Sequence, residues 1–154
     1  MSRNLDNDPQ YVKDTRGASH GLGRIVIVIF WLMAAWSLYD AFLFLMRNPS
    51  VPLGPRLVGI AVAVGYVAAA AALTHNGKRM RILGWSAVGF ELVGVLMTSL
   101  MELGIPQAQR QLGMWTSFGA NYYFAPLIVP AIGLLWLWWS NPRRIVEIAE
   151  RLDS

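Results

Sequence analysis

The sequence contains no cysteine, which excludes disulfide bridges, thiolate metal sites and cysteine nucleophiles. It is also poor in charge, because only 14% of its 154 residues are Asp, Glu, Lys or Arg, against about 25% in a typical soluble domain. Hydrophobic residues make up 55% of the chain. Too few polar residues remain to cover a water-soluble fold, so the composition excludes an ordinary soluble globular protein.

The sequence motifs of common enzymes are missing as well. There is no GxSxG nucleophile elbow, Walker A loop, HExxH helix or GxGxxG dinucleotide fingerprint. The only histidines, His20 and His75, lie outside the long apolar runs, so neither is placed to ligate a haem at membrane depth. We therefore predict that the chain is not an enzyme and that it has no metal site and no cofactor.

What the sequence does have is long apolar runs between short polar stretches. About 20 apolar residues rise about 30 Å as an α-helix, which is enough to cross the hydrocarbon core of a bilayer. The runs predict an all-α membrane protein, a four-transmembrane-helix bundle, with spans at about residues 25–46, 57–74, 82–101 and 120–140. A proline-rich turn between Arg47 and Arg56 separates the first two spans.

The same pattern predicts the domain organisation. Residues 1–23 are polar and lack sustained apolar periodicity, so we predict a flexible cytoplasmic N-tail before a transmembrane domain at 24–140. In residues 141–154, Pro142 suits the first position of a helix, and an apolar stripe follows it. This tail is predicted to form a short amphipathic helix on the inner leaflet or on a partner.

The distribution of basic residues predicts the orientation. All but three of the 13 Lys and Arg residues lie in the two tails or in the loop between the second and third spans. Basic residues are retained on the cytoplasmic side. We therefore predict a plasma-membrane protein with both termini in the cytoplasm.

Basic residues also flank the apolar runs without forming one continuous patch, so we predict lipid binding and no nucleic-acid binding. Predicted contacts to lipid headgroups or to a partner are Lys78, Arg79, Arg81, Arg143 and Arg144.

Two carboxylates fall inside predicted spans, where an ionised side chain is unfavourable by at least ~3 kcal/mol. Glu91 lies near the middle of the third span, and no basic residue lies at comparable depth. Three roles are open: a protonated packing residue bonded to a Tyr, Ser or Trp, a contact to a partner subunit, or a proton or cation site. Asp40 lies near the outer end of the first span, where pairing with Arg47 or Arg56, or hydration, is expected.

Two further patterns concern helix packing and shape. Small residues at helical spacing around Glu91 predict a face for close helix contact, formed by Gly84, Ala87, Gly94 and Thr98. In the fourth span, Pro126 and Pro130 each remove a backbone hydrogen bond on one face and predict a kink. That kink either accommodates packing or lines a cavity.

Three stretches carry a resemblance to known sequences: THNGKRMRILGW (74–85), GFELVGVL (89–96) and MWTSFGANYYFAPLIVP (114–130). The chain here resembles a group of uncharacterised small four-span integral membrane proteins of actinobacteria. The similarity covers roughly the second to fourth spans. It implies the four-span architecture and a bacterial plasma membrane, and it transfers no catalytic residue.

These features favour a non-catalytic accessory, assembly or stabilising component of a larger plasma-membrane complex. Its partners would be membrane lipids and other membrane-protein subunits, or further copies of itself. The alternative is a small oligomeric proton- or cation-coupled transporter that uses Glu91. A third hypothesis, a membrane enzyme acting on lipid, would use an outer polar group consisting of Asp40, Trp115, Asn121, Tyr122 and Tyr123.

Overall fold

The computed structural model describes residues 21–47, 51–75, 77–106 and 113–140, without the side chains of 44–47. All regular structure in these residues is helical, so the all-α class is confirmed over this part of the chain. The elements are α1 (Leu22–Arg47), α2 (Leu53–Thr74), α3 (Lys78–Met101), a short 3₁₀ segment (Thr116–Tyr122) and α4 (Ala125–Trp139). The N-tail up to residue 20 and the predicted C-terminal amphipathic helix lie outside the described residues.

Helices α1, α2 and α3 are long and apolar enough to cross a membrane. They contain 26, 22 and 24 residues, which rise about 39, 33 and 36 Å against a hydrocarbon core of about 30 Å. Helix α4 has 15 residues and rises only about 23 Å. A fourth span exists only if the 3₁₀ segment and α4, which are bent by 101°, form one broken crossing. The described chain therefore has three candidate membrane spans, or four with the broken pair, which is typical of a multi-pass membrane protein.

Helices α2 and α3 begin earlier than hydropathy predicts, at Leu53 and Lys78. Pro55 lies in the first turn of α2. Backbone N–H groups in a first turn have no hydrogen-bond partner within the helix, so a proline, which lacks the N–H, is tolerated there. Basic residues extend α3 beyond its apolar run, because Lys and Arg are good helix formers. Hydropathy locates the apolar part of each helix and leaves its ends undetermined.

The fourth apolar run is broken just before Pro126. In a continuous helix Pro126 would have no N–H to donate to the carbonyl of Tyr122, and its ring would collide with that carbonyl. The chain instead turns through Tyr123 and Phe124, which have left-handed φ values of 55° and 59°. Pro126 therefore lies in the first turn of α4, and Pro130 lies in its interior. The 101° bend is upstream of both prolines, so a kink at Pro130 stays a prediction.

The helices pack in chain order, with α1 against α2, α2 against α3 and α3 against α4. The 3₁₀ segment packs on α3 and α4, whereas α1 and α4 meet only locally. In the interior of the bundle, the side chains of Phe30 on α1, Tyr66 on α2, and Val88 and Val95 on α3 are completely buried. This arrangement places the middle of α3 at the centre of the bundle.

The polarity of the fold is inverted relative to a soluble protein. Leu32, Val93 and Leu135, on three different helices, are 64%, 58% and 62% exposed, whereas Glu91 is 0% exposed. In water this distribution would be unfavourable, since it exposes large apolar side chains and buries a carboxyl group. The same distribution is stable when lipid surrounds the helices.

Candidate functional site

The buried carboxyl group of Glu91 is the centre of the candidate site. By helical rise its α-carbon lies about 20 Å from Lys78 at the start of α3 and about 15 Å from Met101 at the end. Its Oε2 accepts a hydrogen bond from the indole N–H of Trp115 at 3.0 Å, and both side chains are buried. The polar atom deepest in α3 is therefore bonded to a residue 24 positions further along the chain.

Trp115 is held against α3 by its backbone as well as by its ring. Its carbonyl accepts a hydrogen bond from Ser99 Oγ at 2.8 Å, and the same Oγ accepts one from the N–H of Phe118 at 2.7 Å. The indole packs edge-on against Phe90, with 5.3 Å between ring centroids. It also lies directly on Gly94, where a Cβ atom would overlap three atoms of the ring. Glycine at 94 is thus required for the indole to reach Glu91.

The second carboxyl oxygen of Glu91 faces α2. Oε1 occupies the space where a Cβ of Gly65 would stand, so only glycine at this position admits the carboxyl group. The next residue, Tyr66, is fully buried and lies close enough to interact electrostatically with Glu91. Neither Glu91 Oε1 nor the hydroxyl of Tyr66 has a hydrogen-bond partner among the described residues. Two buried oxygens in the interior of the bundle thus have no hydrogen bond within the described part of the chain.

This arrangement suits a neutral carboxyl group. A single indole N–H compensates one oxygen, which is far less than an ionised carboxylate needs in a low-dielectric interior. The cluster can hold helices together and can carry one proton. In the described ranges, no group of three or more acidic or histidine side chains is placed to hold a metal ion.

The predicted small-residue face lies inside the bundle. Gly84 and Ala87 are buried, and a Cβ on Gly84 would meet Leu137 of α4 and Ala72 of α2 at 3.6 and 3.7 Å. Gly94 contacts Trp115 as described above, and Thr98 is half-buried. The face is therefore directed at other parts of the same chain.

Asp40 belongs to a separate site. Its Oδ1 accepts a hydrogen bond from the hydroxyl of Tyr122 at 2.9 Å, and the ring of Tyr122 packs edge-on against Trp36 at 6.0 Å. Of the predicted outer polar group, the structure thus brings Asp40 and Tyr122 together and directs Trp115 to Glu91. Tyr123 is 87% exposed.

Among the predicted contacts to lipid or a partner, two side chains are exposed and one is hydrogen-bonded within the chain. Lys78 and Arg79 are exposed. Arg81 donates hydrogen bonds to the carbonyls of Leu137 at 2.9 Å and Ser140 at 3.3 Å, and so binds the C-terminal end of α4. A cation there is favoured by the helix dipole. Arg143 and Arg144 lie outside the described residues, and lipid contact stays a prediction for the whole set.

A groove between α1 and α4 lies apart from the Glu91 cluster. It has a volume of about 700 Å³ and an almost wholly apolar lining, which includes Ile25, Ile29, Ile132 and Leu135. None of the side chains around Glu91 lines it. The carboxyl group is therefore enclosed by packed helices and does not face this groove.

Sequence reasoning missed Gly65, Tyr66 and Ser99 as parts of the Glu91 site. Tyr66 could have been found, because it is the only hydroxyl-bearing residue between 57 and 73 in an otherwise apolar span. Gly65 has no such signal, since glycine occurs throughout the chain.

No protein-family model matches the chain, and no curated protein or solved structure matches it either.

Proposed function

We propose that the chain is a non-catalytic accessory, assembly or stabilising component of a larger plasma-membrane complex. The observation that carries the proposal is the placement of Glu91. Its carboxyl group is enclosed between α2, α3 and Trp115, where it joins parts of the chain to one another. Glu91, the strongest candidate for a chemical role in the chain, thus contributes to the packing of the bundle.

The exterior supports the same proposal. Large apolar side chains cover the outward faces of α1, α3 and α4, including Trp31, Met97 and Trp138. In lipid, helices associate through close packing and a few polar contacts instead of hydrophobicity. These faces are suited to lipid and to the helices of other subunits, or of further copies of this chain.

The topology that we propose has four spans, with the bent 3₁₀ segment and α4 as the fourth, and both termini in the cytoplasm. The distribution of charge supports it. Arg24, Lys78, Arg79 and Arg81 lie where α1 and α3 begin, which is the end of the bundle where α4 finishes. Basic residues concentrate on the cytoplasmic side of plasma-membrane proteins. The resemblance to small four-span actinobacterial proteins favours a bacterial membrane.

Affinity purification from the native membrane in a mild detergent tests the proposal. The tagged wild-type chain should recover a defined set of membrane proteins in fixed stoichiometry. Glu91→Gln should recover the same set, because an amide keeps the shape of a neutral carboxyl group and the side chain lies inside the bundle. Recovery of the chain alone, in both forms, would contradict an accessory role.

A second candidate function is an oligomeric proton- or cation-coupled transporter. The observation that favours it is the presence of two buried oxygens, Glu91 Oε1 and Tyr66 Oη, which lack hydrogen-bond partners in the described residues. A transporter would give proton-coupled flux in reconstituted vesicles that Glu91→Gln abolishes, because an amide carries no exchangeable carboxyl proton. Purification of a self-oligomer with such flux would replace the accessory proposal.

A further inference from the structure

The groove between α1 and α4 has the dimensions of a site for a single lipid chain. It extends from Leu22 to Ile29 along α1 and from Ile132 to Ser140 along α4, about 10 to 12 Å by helical rise. A transmembrane helix of a partner would need a surface along the full length of these helices. A flexible hydrocarbon chain can enter at one end of the bundle and finish within the groove.

The mouth of the groove is positively charged. Ser140 is the polar residue at the end of the lining, and its backbone carbonyl accepts a hydrogen bond from Arg81 at 3.3 Å, so a guanidinium group lies next to the lining at this end. Arg24 lies in the first turn of α1, beside Leu22 and Ile25 of the lining. The acidic side chains of the described residues lie elsewhere: Asp40 and Glu102 are near the opposite end, and Glu91 is inside. The mouth of the groove is therefore polar and positively charged, and the rest of the groove is apolar and uncharged.

Indole rings stand at the same opening. Trp136 and Trp139 line the groove near the end of α4, and tryptophan is favoured at the boundary between headgroups and hydrocarbon. Their position marks the mouth as the level of the lipid headgroups. An acyl chain bound in the groove would then extend into the hydrocarbon region, as it does in the surrounding leaflet.

We propose that this groove binds an anionic phospholipid, with one acyl chain between α1 and α4 and the phosphate at Arg81. Basic residues at the cytoplasmic ends of helices attract anionic headgroups, and arginine forms charge-assisted hydrogen bonds with phosphate oxygens. The site does not depend on the accessory role, because it is formed by this chain alone. A zwitterionic lipid with the same chains would fill the groove without the net charge that the mouth attracts.

Native mass spectrometry of the purified full chain tests the site. The chain is incubated with equal amounts of phosphatidylglycerol and phosphatidylcholine that carry identical acyl chains. One phosphatidylglycerol should be retained, in roughly fivefold preference over phosphatidylcholine for each basic residue engaged. Equal retention of the two lipids by the wild-type chain would overturn the proposal.

Substitutions test the apolar groove and its basic mouth separately. Ile132→Trp fills the groove and should abolish retention of the bound lipid, whereas Ile128→Trp, one turn away on the exposed face of α4, should leave it unchanged. Arg81→Gln should reduce the preference for phosphatidylglycerol. Arg81 also binds α4, so Arg24→Gln is the second charge variant and should reduce the preference as well. Unchanged retention in Ile132→Trp, or a dimer that this variant dissociates, would overturn the proposal.

Discussion

Replacing Gly94 by alanine should destabilise the chain strongly, because the added methyl group has no room. The new Cβ would lie 2.5 and 2.6 Å from ring atoms of Trp115, well inside van der Waals contact. The indole cannot retreat without breaking its hydrogen bond to Glu91, and its backbone is fixed to Ser99. The substitution therefore overpacks the interior and also displaces the indole N–H from its acceptor.

The expected loss follows from these two effects. Overpacking of a filled interior costs about 1–3 kcal/mol, and a buried acceptor without its donor costs about 1–3 kcal/mol. The higher helix propensity of alanine offsets this loss by up to about 1 kcal/mol. We expect the free energy of unfolding to fall by about 3 kcal/mol.

The matched control is Gly89→Ala on the same helix, where an added Cβ meets nothing within 4 Å. It should leave the stability unchanged or raise it by up to about 1 kcal/mol. Equilibrium unfolding in mixed micelles of sodium dodecyl sulfate and a mild detergent, followed by tryptophan fluorescence, measures both variants. Equal stability of Gly94→Ala and Gly89→Ala would refute the placement of Trp115.

Two further substitutions address the contacts beside the site. Ser99→Ala removes the hydroxyl that bonds two backbone groups and should lower the free energy of unfolding by about 1–3 kcal/mol, whereas Ser86→Ala on an exposed position should not. Tyr122→Phe removes the hydrogen bond to Asp40 and should cost about 0.5–1.5 kcal/mol. Tyr123→Phe, which alters a residue that is 87% exposed, is its control, and equal effects of the two tyrosine variants would contradict the described pairing.

The positions of the helices were predictable because the length and hydropathy of an apolar run are enough to identify a membrane-spanning helix. The three apolar runs that became α1, α2 and α3 are each long enough to cross a bilayer, and hydrocarbon requires that such backbones satisfy their own hydrogen bonds. The fourth run met the same criterion and is nevertheless broken. A continuous helix is opposed by the conflict between the Pro126 ring and the carbonyl of Tyr122, and the backbone is left-handed at Ser117 and Phe118 as well. A hydropathy average is insensitive to both features.

The candidate site was predictable in part. The position of Glu91 near the middle of a span showed that its carboxyl group needs a hydrogen-bond partner, and Trp was among the expected partners. The sequence could not identify Trp115, because it lies in a largely polar stretch that reads as an external loop. Its approach to the centre of α3 depends on Gly94 and Ser99, two contacts that exist only after the chain folds back.

The role of the small residues on α3 also depended on the fold. Spacing predicted a face for close helix contact, and it did not distinguish a partner subunit from a helix of the same chain. Packing in chain order places α2 and α4 against this face. Surfaces for a partner must therefore lie on the exposed apolar sides of the helices.

The hydrogen bond between Glu91 and Trp115 joins the centre of α3 to the segment that follows it, and a double-mutant cycle with Glu91→Met and Trp115→Phe tests this bond directly. Each single variant leaves a buried polar partner unsatisfied, which costs about 1–3 kcal/mol, whereas the double variant removes both partners. We predict that the double variant is more stable than the sum of the single effects by at least about 1 kcal/mol. Additive effects would contradict this bond, because they would show that the two side chains are not coupled.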